Sequence, residues 1–372
     1  MPATQLDMSF QNDIRILSFD CVTPFGNSAA THKALVEGRS NVAQYPVTGN
    51  DGGQEVPLSL FDHMHAELPP RWFPTVTNML APVSGSEWGR VDTPIFVSSS
   101  NFGVDSLYYL RRDGRSEQQP YAVPHSSVEQ IRRACGWGRN VSLYSHACVS
   151  AHIAILAASM ALMCGAKRAL VLSYDFISPF VTGGFSALKI LNGQLPRPFH
   201  RAETGSIALG EGAAYAILSL EGKGPRISAQ STWNEMFHFT ANEPEGSGFA
   251  KLLEPILPAL RDSRIWLKGH GTGTVDAGRI EAESLAKAFP EAPLTGWKGA
   301  IGHTLGSCGL IELAIALRSI ESGTAPGSVG SEAPTFTPNV ALAPFSTSCY
   351  DAALILSNAF GGAHATMCIR ND

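Results

Sequence analysis

Short apolar segments rich in β-branched residues alternate with stretches of helical periodicity along the chain. In the first half the pattern predicts strands at IRILSF, TPIFVSSS, ALVLSY and AAYAILSL, helices near residues 29–37 and 104–112, and an uncharged helix within residues 147–166. Strands that are apolar on both faces and alternate with helices are typical of α/β proteins with a mostly parallel, buried sheet. The pattern therefore predicts an α/β fold.

The same pattern resumes from Pro225, with strands predicted at RISAQST, RIWLK, ALILSNAF and ATMCIR and helices over residues 280–288 and 309–323. Helical segments that begin at Cys148 and at Cys308 both follow a turn of small residues. Unless this likeness is chance, it is a weak internal repeat that indicates two related lobes. A chain of 372 residues exceeds the usual size of one domain. We therefore place the lobes at residues 1–224 and 225–372.

Composition and charge narrow the class of protein. The chain is 44% hydrophobic and 16% charged, and its formal net charge of -5 comes without a long basic run. This balance argues against nucleic acid or an anionic membrane as the main partner. Residues 147–166 approach the length that spans a bilayer, but their Ala and Ser content and His152 favour a helix buried in a protein core. No secretory signal is visible at the N-terminus, so we expect a cytoplasmic protein.

Three residues are candidates for catalysis. The chain has seven cysteines with neither a CxxC pair nor the spacing of a zinc site, so no metal is expected. Most free cysteines are small buried side chains, but a helix N-terminus and a nearby imidazole both favour the reactive thiolate. Cys148 stands before the apolar run, and His270 and His303 each stand in a Gly-rich turn after a β-like segment. Such turns are where α/β proteins gather functional side chains.

At these residues the chain resembles a known family. HGTGT at His270, KGAIGH ending at His303 and GSCG behind it resemble the β-ketoacyl synthases, the condensing enzymes of fatty acid and polyketide assembly. Further agreement lies in VTPFG, RPF, GEGAA and NAFGGAHA, which follow in the family's order from about residue 14 to residue 370. The GTGT glycines are not a dinucleotide fingerprint, because no GxGxxG opens a βαβ unit here.

The resemblance implies a role for each matching position. Cys148 matches the cysteine that accepts the acyl group, and His270 and His303 match the histidines that hold the extender thioester and promote loss of its carboxylate. Lys298 and Glu281 match the charged pair that fixes the surroundings of the second histidine. The remaining matches concern substrate binding. Thr272 and Thr274 match the threonines that bind the phosphopantetheine arm. Phe360, followed by Gly361, matches a gating phenylalanine whose backbone N-H forms an oxyanion hole together with the backbone N-H of Cys148.

The resemblance also implies an architecture and partners. The expected fold is thiolase-like, with two related βαβαβαββ lobes in a five-layered α-β-α-β-α sandwich and Cys148 at the start of a buried central helix. The expected partners are an acyl carrier protein, whose phosphopantetheine arm delivers the substrates, and a second subunit in a homodimer or in a heterodimer with a related ketosynthase or chain-length factor. No cofactor is expected.

Several positions depart from the family pattern. His146 and Val149 replace hydroxyl residues beside the cysteine, Ala277 and Gly278 replace an Asn-Asp pair, and His200 replaces the Asp after RPF. These changes spare Cys148 and both histidines. They favour a divergent branch, of the kind found in secondary metabolism, over a housekeeping enzyme.

Two further functions compete with a condensing enzyme. One is a chain-length-factor-like partner subunit that shapes a synthase tunnel without doing chemistry; the retained Cys148, His270 and His303 argue against it. The other is a cysteine hydrolase, which needs a Cys/His pair with an orienting Asn or Asp. Cys308 would be a second nucleophile only if the related thiolases were the better comparison. We therefore expect a decarboxylating β-ketoacyl synthase.

Overall fold

The computed structural model describes residues 7–8, 13–46, 55–62, 64–85, 88, 93–238 and 240–371. Its strands are β1 Asp7–Met8, β2 Ile14–Thr23, β3 Gly26–Asn27, β4 Ala43–Pro46, β5 Glu55–Ser59, β6 Ile95–Ser98, β7 Val141–Tyr144, β8 Ala169–Asp175, β9 Leu209–Gly210, β10 Gly212–Ser219, β11 Arg226–Asn234, β12 Ile265–Lys268, β13 Leu294–Thr295, β14 Thr324–Ala325, β15 Phe345–Ser346, β16 Ala352–Ala359 and β17 Ala363–Arg370. The predicted strands are thus confirmed in both halves.

The α-helices are α1 Ser28–Val36, α2 Trp72–Met79, α3 Val104–Asp113, α4 Pro124–Cys135, α5 Ser150–Met163, α6 Pro179–Ala187, α7 Ser247–Leu253, α8 Leu257–Leu260, α9 Val275–Ala288, α10 Lys298–Ile301 and α11 Cys308–Ser322. Short 3-10 turns lie at Ala81–Val83, Ser116–Tyr121 and Leu305–Ser307. One predicted boundary is wrong, because α9 begins at Val275 and not near residue 280. The Ala277-Gly278 step obscures the helical pattern, whereas Asp276 in the first turn favours a helix start there.

The two halves of the large sheet repeat one strand order. In the sequence of neighbours β13-β12-β16-β17-β11-β2-β10-β8-β6-β7, each half reads 3-2-4-5-1 when its own strands are numbered along the chain. The fifth strand of each half, β10 or β17, is antiparallel to its neighbours. Strands β2 and β11 join the halves through the pairs Ile14–Ile227 and Arg15–Arg226. The repeat inferred from the two cysteine helices is therefore a repeat of topology.

Side chains of the first lobe alternate between two cores. In β8, Ala169 and Val171 face the core that contains α5 and α11, whereas Leu170 and Leu172 face the core beneath α2 and α4. Such alternation follows from the period of two in a strand that is buried on both faces. The first sheet half therefore lies between an outer helical layer and a central one.

The second lobe mirrors this arrangement. In β16, Ala353 and Ile355 face the central core, and Leu354 and Leu356 face a core beneath α7 and α9. Helices α5 and α11 thus form a middle layer that both lobes share, and the expected five layers of helix, sheet, helices, sheet and helix are present. The predicted lobe boundary at residues 224 and 225 lies in the connection from Ser219 to Arg226; as a domain division it stays a prediction.

The uncharged segment around residue 150 forms α5, a helix that is apolar on all sides and buried on most of them. It occupies the middle layer, which explains why this segment needs no polar face. None of the helices formed by the described residues has the length and apolar character needed to cross a membrane.

The close contact of α5 with α11 requires a residue without a side chain at Gly309. A Cβ atom at this position would lie 2.4 Å from Nδ1 of the buried His152 ring on α5. We expect Gly309→Ala to lower the free energy of unfolding by about 1–3 kcal/mol, because the buried His152 ring must leave its position or the two helices must separate. Chemical denaturation measures this change. The matched control is Gly183→Ala in α6, where a Cβ meets nothing within 4 Å; it should be neutral or stabilising, and equal effects of both variants would contradict the packing argument.

Candidate active site

Cys148 lies in a tight turn between β7 and α5. The preceding residue, Ala147, has a φ of 46°, a left-handed conformation that a residue with a side chain adopts only under constraint. The Ser150 hydroxyl supplies that constraint, since it accepts from the His146 N-H at 2.7 Å and donates to the Ala147 carbonyl at 2.6 Å. Cys148 therefore stands two residues before the first residue of the central helix.

The cysteine contacts both lobes. Its side chain packs beside Val149, Ala359 and Ala363, so the start of α5 touches the turn between β16 and β17. From behind, the Cys308 thiol at the start of α11 donates to the Cys148 carbonyl at 3.2 Å. Cys308 is 1% exposed. A buried thiol bound to this backbone oxygen supports the turn and is poorly placed to act as a second nucleophile.

His270 and His303 are brought face to edge beside the thiol. Their ring centroids are 5.0 Å apart at an interplanar angle of 83°. The Cys148 sulfur and one nitrogen of each ring lie within 4.8 Å of one another. His270 follows β12, and His303 follows α10 through Gly302, which has a φ of 67°. The three residues chosen from the sequence thus form one cluster.

A backbone contact fixes the tautomer of His303. The Leu305 N-H donates to Nδ1 of His303 at 2.8 Å. Because a backbone N-H can only donate, Nδ1 is an acceptor and the proton of the neutral ring resides on Nε2. His303 therefore presents an N-H donor through Nε2.

Both histidines are neutral at pH 7. Burial lowers the pKa of His270 and that of His303 well below the usual value, and the positive charges of Lys298 and Lys268 lower both further. The potential at the rings is thus positive. Neutral imidazoles in such a place can donate hydrogen bonds to a developing negative charge without first losing a proton.

The structure corrects the expected pairing of Lys298 with Glu281. Lys298 Nζ donates to Oε1 of Glu312 at 2.6 Å and to the His270 carbonyl at 2.7 Å. The Glu281 carboxylate instead accepts from the backbone N-H groups of His270 and of Gly271, the latter at 3.0 Å. Glu281 reaches these amides because α9 packs against the turn that follows β12. The charged partner of Lys298 is therefore Glu312.

Glu312 and Lys268 were not among the predicted site residues. Glu312 is 1% exposed within the apolar helix segment CGLIELAIAL, and Lys268 is completely buried at the end of the apolar strand IWLK. Lys268 also forms an ion pair with Oε1 of Glu312. A lone charged residue in an apolar element was the available signal, since buried charges occur where they are paired.

Most of the predicted site residues line one cavity of about 580 Å³. Those on its wall are Cys148, His270, His303, Thr272, Thr274, Glu281 and Phe360. The hydroxyls of Thr272 and Thr274 lie 2.9 Å apart. Lys298 stands behind the histidines, and Gly361 has a φ of 84° in the turn that presents Phe360. The cavity therefore leads from the threonines to the thiol.

Many lining residues were not predicted, among them Phe185 and Lys189. Phe185 of α6 stacks on Phe360 with ring centroids 6.0 Å apart, and Lys189 is an exposed cation on the cavity wall. Their separation in sequence from the recognised motifs hid them. Phe185 and the 38% exposed Phe360 give the cavity an apolar rim, beside which lie charged side chains of both signs, Lys189, Arg279, Glu203 and Asp276.

The charges behind the cluster bear on what it can bind. A thiol with two imidazoles is a donor set that a zinc ion accepts in other proteins. Here the positive potential from Lys298 and Lys268 opposes a cation and favours an anionic or oxyanionic group at the imidazoles. The expectation of no metal or cofactor stays a prediction.

Comparison with known proteins agrees with the motifs. Residues 227–332 match the model of the beta-ketoacyl synthase C-terminal domain. The ketoacyl synthase alpha subunit of the tetracenomycin polyketide synthase of Streptomyces glaucescens is 28% identical over 65% of this chain and 62% of that protein. The 3-oxoacyl-[acyl-carrier-protein] synthase 2 of Coxiella burnetii (strain RSA 493 / Nine Mile phase I) is 27% identical over 50% of this chain and 49% of that protein. The matches thus span less than two thirds of either relative.

Solved structures share the fold. The chain resembles one from the AntDE:AntF complex, a type II polyketide synthase acyl-carrier protein with its ketosynthase, with a TM-score of 0.83 and 17% identity over 96% of this chain and 99% of that one. It also resembles one from the complex of ketosynthase ApeO with its chain length factor ApeC from Xenorhabdus doucetiae, with a TM-score of 0.77 and 19% identity over 97% and 98%. At these identities the likeness establishes the fold alone, and it confirms the thiolase-like prediction.

The surroundings of Cys148 predict how its reactivity depends on pH. Burial raises the pKa of the thiol, the Cys308 sulfur adds to this, and Lys298 opposes it. The helix start does not by itself provide a thiolate at pH 7. Alkylation of Cys148 by iodoacetamide, followed by peptide mass spectrometry, should therefore accelerate by about tenfold per pH unit from pH 7 to 9.

The exposed Cys164 and Cys349 are internal controls for this measurement. Both thiols are exposed to solvent, so they should be alkylated in every sample and show that the reagent is active across the pH series. A Cys148 rate that is constant from pH 6 to 9 would show a preformed thiolate and contradict the argument.

Proposed function

We propose that this chain, which resembles ketosynthases in sequence and shares their thiolase-like fold, catalyses a decarboxylative Claisen condensation. In this reaction an acyl group held on Cys148 is joined to malonyl units carried on an acyl carrier protein. The setting that the relatives suggest is fatty acid-like or polyketide assembly. The observation that carries the proposal is the meeting of one thiol and two neutral imidazoles, within 4.8 Å, on the wall of the cavity.

The first step is acyl transfer. The Cys148 sulfur, after losing its proton, attacks the thioester carbonyl of an acyl carrier, and the carrier thiol leaves with a proton once the tetrahedral intermediate collapses. The oxyanion of that intermediate needs hydrogen-bond donors. The backbone N-H groups of Cys148 and Phe360 are our candidates, supported by the contact of Cys148 with Ala359. Losing one such donor typically slows a reaction by about two or three orders of magnitude.

The second step breaks the bond between the malonyl carboxylate and its α-carbon. Carbon dioxide leaves, and the electron pair becomes an enolate whose oxygen carries the charge. We assign His303, which holds its proton on Nε2, and the neutral His270 as the donors to that oxygen; the contact of the two rings supports this assignment. The positive potential from the buried lysines stabilises the same charge.

In the third step the enolate carbon attacks the acyl group on Cys148. A carbon-carbon bond forms, the bond from carbon to the Cys148 sulfur breaks, and the sulfur departs as a thiolate that regains a proton. The product is a β-ketoacyl chain on the carrier protein. Storing the acyl group on the enzyme divides the reaction into two half-reactions, so ping-pong kinetics follow.

The rest of the cavity suits a carrier-borne substrate. We assign Thr272 and Thr274 to the amide groups of the phosphopantetheine arm, because their hydroxyls line the path to the thiol. Phe360, which is partly exposed, and the following Gly361, whose left-handed backbone tolerates movement, suit a gate. Lys189 at the rim suits the phosphate or an acidic carrier surface. These groups need no metal or organic cofactor.

A second subunit fits one edge of the large sheet. Strand β7 is the last strand at that edge, and its residues Val141–Tyr144 lead directly to the turn that holds Cys148. An edge strand offers unpaired backbone groups to another chain. We propose that a second copy, or a related ketosynthase or chain-length-factor subunit, pairs there.

The competing function is a chain-length-factor-like subunit without chemistry. Similar solved structures include ketosynthases in complex with chain length factors. The two functions differ in what happens to Cys148, so the deciding test follows its mass.

We expect purified protein incubated with acyl-loaded carrier protein to gain the mass of the acyl group, and Cys148→Ala to gain none. Adding malonyl-loaded carrier protein should then release carbon dioxide and discharge the acyl group from the wild-type protein. His303→Ala should still be acylated but should lose about two to three orders of magnitude of the carbon dioxide release, because one donor to the enolate is gone. Circular dichroism confirms that each variant is folded.

Acylation with a range of chain lengths guards against a poor choice of acyl group. Folded protein that takes up none of them, alone and with related synthase subunits, would refute the condensing function and support the partner-subunit role. Acylation without carbon dioxide release would refute the decarboxylating step.

A further inference from the structure

Lys268 is a buried charge beside the histidines to which the proposed mechanism gives only an electrostatic effect. Lys268 is the last residue of β12, two positions before His270, and its side chain is completely buried. It pairs with Oε1 of Glu312, and its Nζ lies 5.7 Å from the centroid of the Trp297 ring. A lysine is seldom fully buried, because removal of its charge from water is unfavourable unless the charge is paired.

Lys268 shares its carboxylate with Lys298. Lys298 opens α10, five positions before His303, and donates to the same Oε1 of Glu312 at 2.6 Å. Each lysine is therefore fixed to one of the segments that end in a histidine. Through Glu312 on α11, a single carboxylate connects the His270 segment, the His303 segment and the central helix layer.

We propose that Lys268 is a positioning residue of the condensation site. It ties the His270 segment to Glu312, as Lys298 ties the His303 segment, and with Lys298 it makes the surroundings of both imidazoles positive. This inference rests on the proposed function, because its effect is on the half-reaction that the histidines perform. Sequence resemblance assigned no role to this position.

The charges around the site agree with this role. His270 is faced by Lys298, His303, Lys268 and His152, each of which lowers its pKa in addition to burial. Lys298 and Lys268 do the same to His303. Burial lowers the pKa of Lys268 itself to about 8, against the opposing effect of Glu312, so the ammonium form predominates at pH 7. Removal of this charge should therefore raise the pKa of both histidines.

The effect should be confined to one half-reaction. The pKa of the Cys148 thiol responds to burial, Cys308, Lys298 and Asp175. Its turn is held by Ser150 and Cys308. Lys268, by contrast, connects through Glu312 to the segments that carry His270 and His303. Loss of Lys268 should slow decarboxylation and leave acylation of Cys148 nearly unchanged, whereas a lysine needed only for folding would affect both.

The test compares Lys268→Met with the wild-type protein and with Lys33→Met, which removes an exposed lysine of α1. Carbon dioxide release from malonyl-loaded carrier protein reports the histidine half-reaction, and intact mass after exposure to acyl-loaded carrier protein reports the cysteine half-reaction. Histidine rings labelled with carbon-13 report their own pKa values by NMR, with His270→Ala and His303→Ala identifying the signals.

For Lys268→Met we expect carbon dioxide release to fall by at least about tenfold, as displaced catalytic groups commonly cause, and acylation to stay within about twofold. The pKa of His270 and that of His303 should both rise. The melting temperature should fall only slightly, because Glu312 stays paired with Lys298 and no buried charge is left without a partner. Lys33→Met should match the wild type in every measurement. Should Lys268→Met fail to fold, Lys268→Gln takes its place with the same expected results.

Equal losses in both half-reactions, or a decarboxylation rate like that of the wild type, would overturn the inference. Unchanged histidine pKa values would overturn its electrostatic part. A wild-type protein that neither accepts an acyl group nor releases carbon dioxide would instead refute the proposed function, and the NMR titration would still show whether Lys268 controls the histidines.

Discussion

The structure depends on a buried carboxylate. Glu312 is 1% exposed in the middle of the molecule, where an ionised group is tolerated only with close and well-oriented partners. Its partners, Lys268 and Lys298, come from β12 and α10, so the charge can be satisfied only when the second sheet half, the loop to His303 and helix α11 are all in place. This network holds the segments that carry His270 and His303, and both rings are neutral because of burial together with the two ammonium groups.

The sequence was sufficient for the fold because its elements are strongly patterned. Strands such as β6, β8 and β16 are largely apolar runs and helix α5 has no polar face, so the α/β class, the buried nature of residues 147–166 and the likeness of the two halves could be inferred. The early start of α9 could not, because Ala277 and Gly278 weaken the helical pattern and the helix is stabilised by packing on the turn after β12. Local preference yields to tertiary contacts at such a boundary.

Some residues of the candidate site could likewise be predicted from the sequence, and others could not. Cys148, His270 and His303 could be found because each lies in a distinctive turn next to a strand or helix. The partner of Lys298 could not be decided, since Glu281 and Glu312 are both acidic residues on helices and only the packing of α9 and α11 places one at the backbone amides and the other at the lysines. Lys268 escaped notice because nothing near it in the chain shows that a distant helix supplies its counter-charge.

The repeated strand order has a consequence for how such a protein can change. Helix α5 follows Cys148, and the equivalent helix α11 begins at Cys308. The Cys148 thiol lines the cavity, whereas the Cys308 thiol donates a hydrogen bond to a backbone oxygen. A fold with two similar halves thus contains a site in which the two halves have different roles. One thiol can react with a substrate while the other supports the backbone, so substitutions at matching positions of the two lobes have different physical effects: loss of reactivity in one, loss of support in the other.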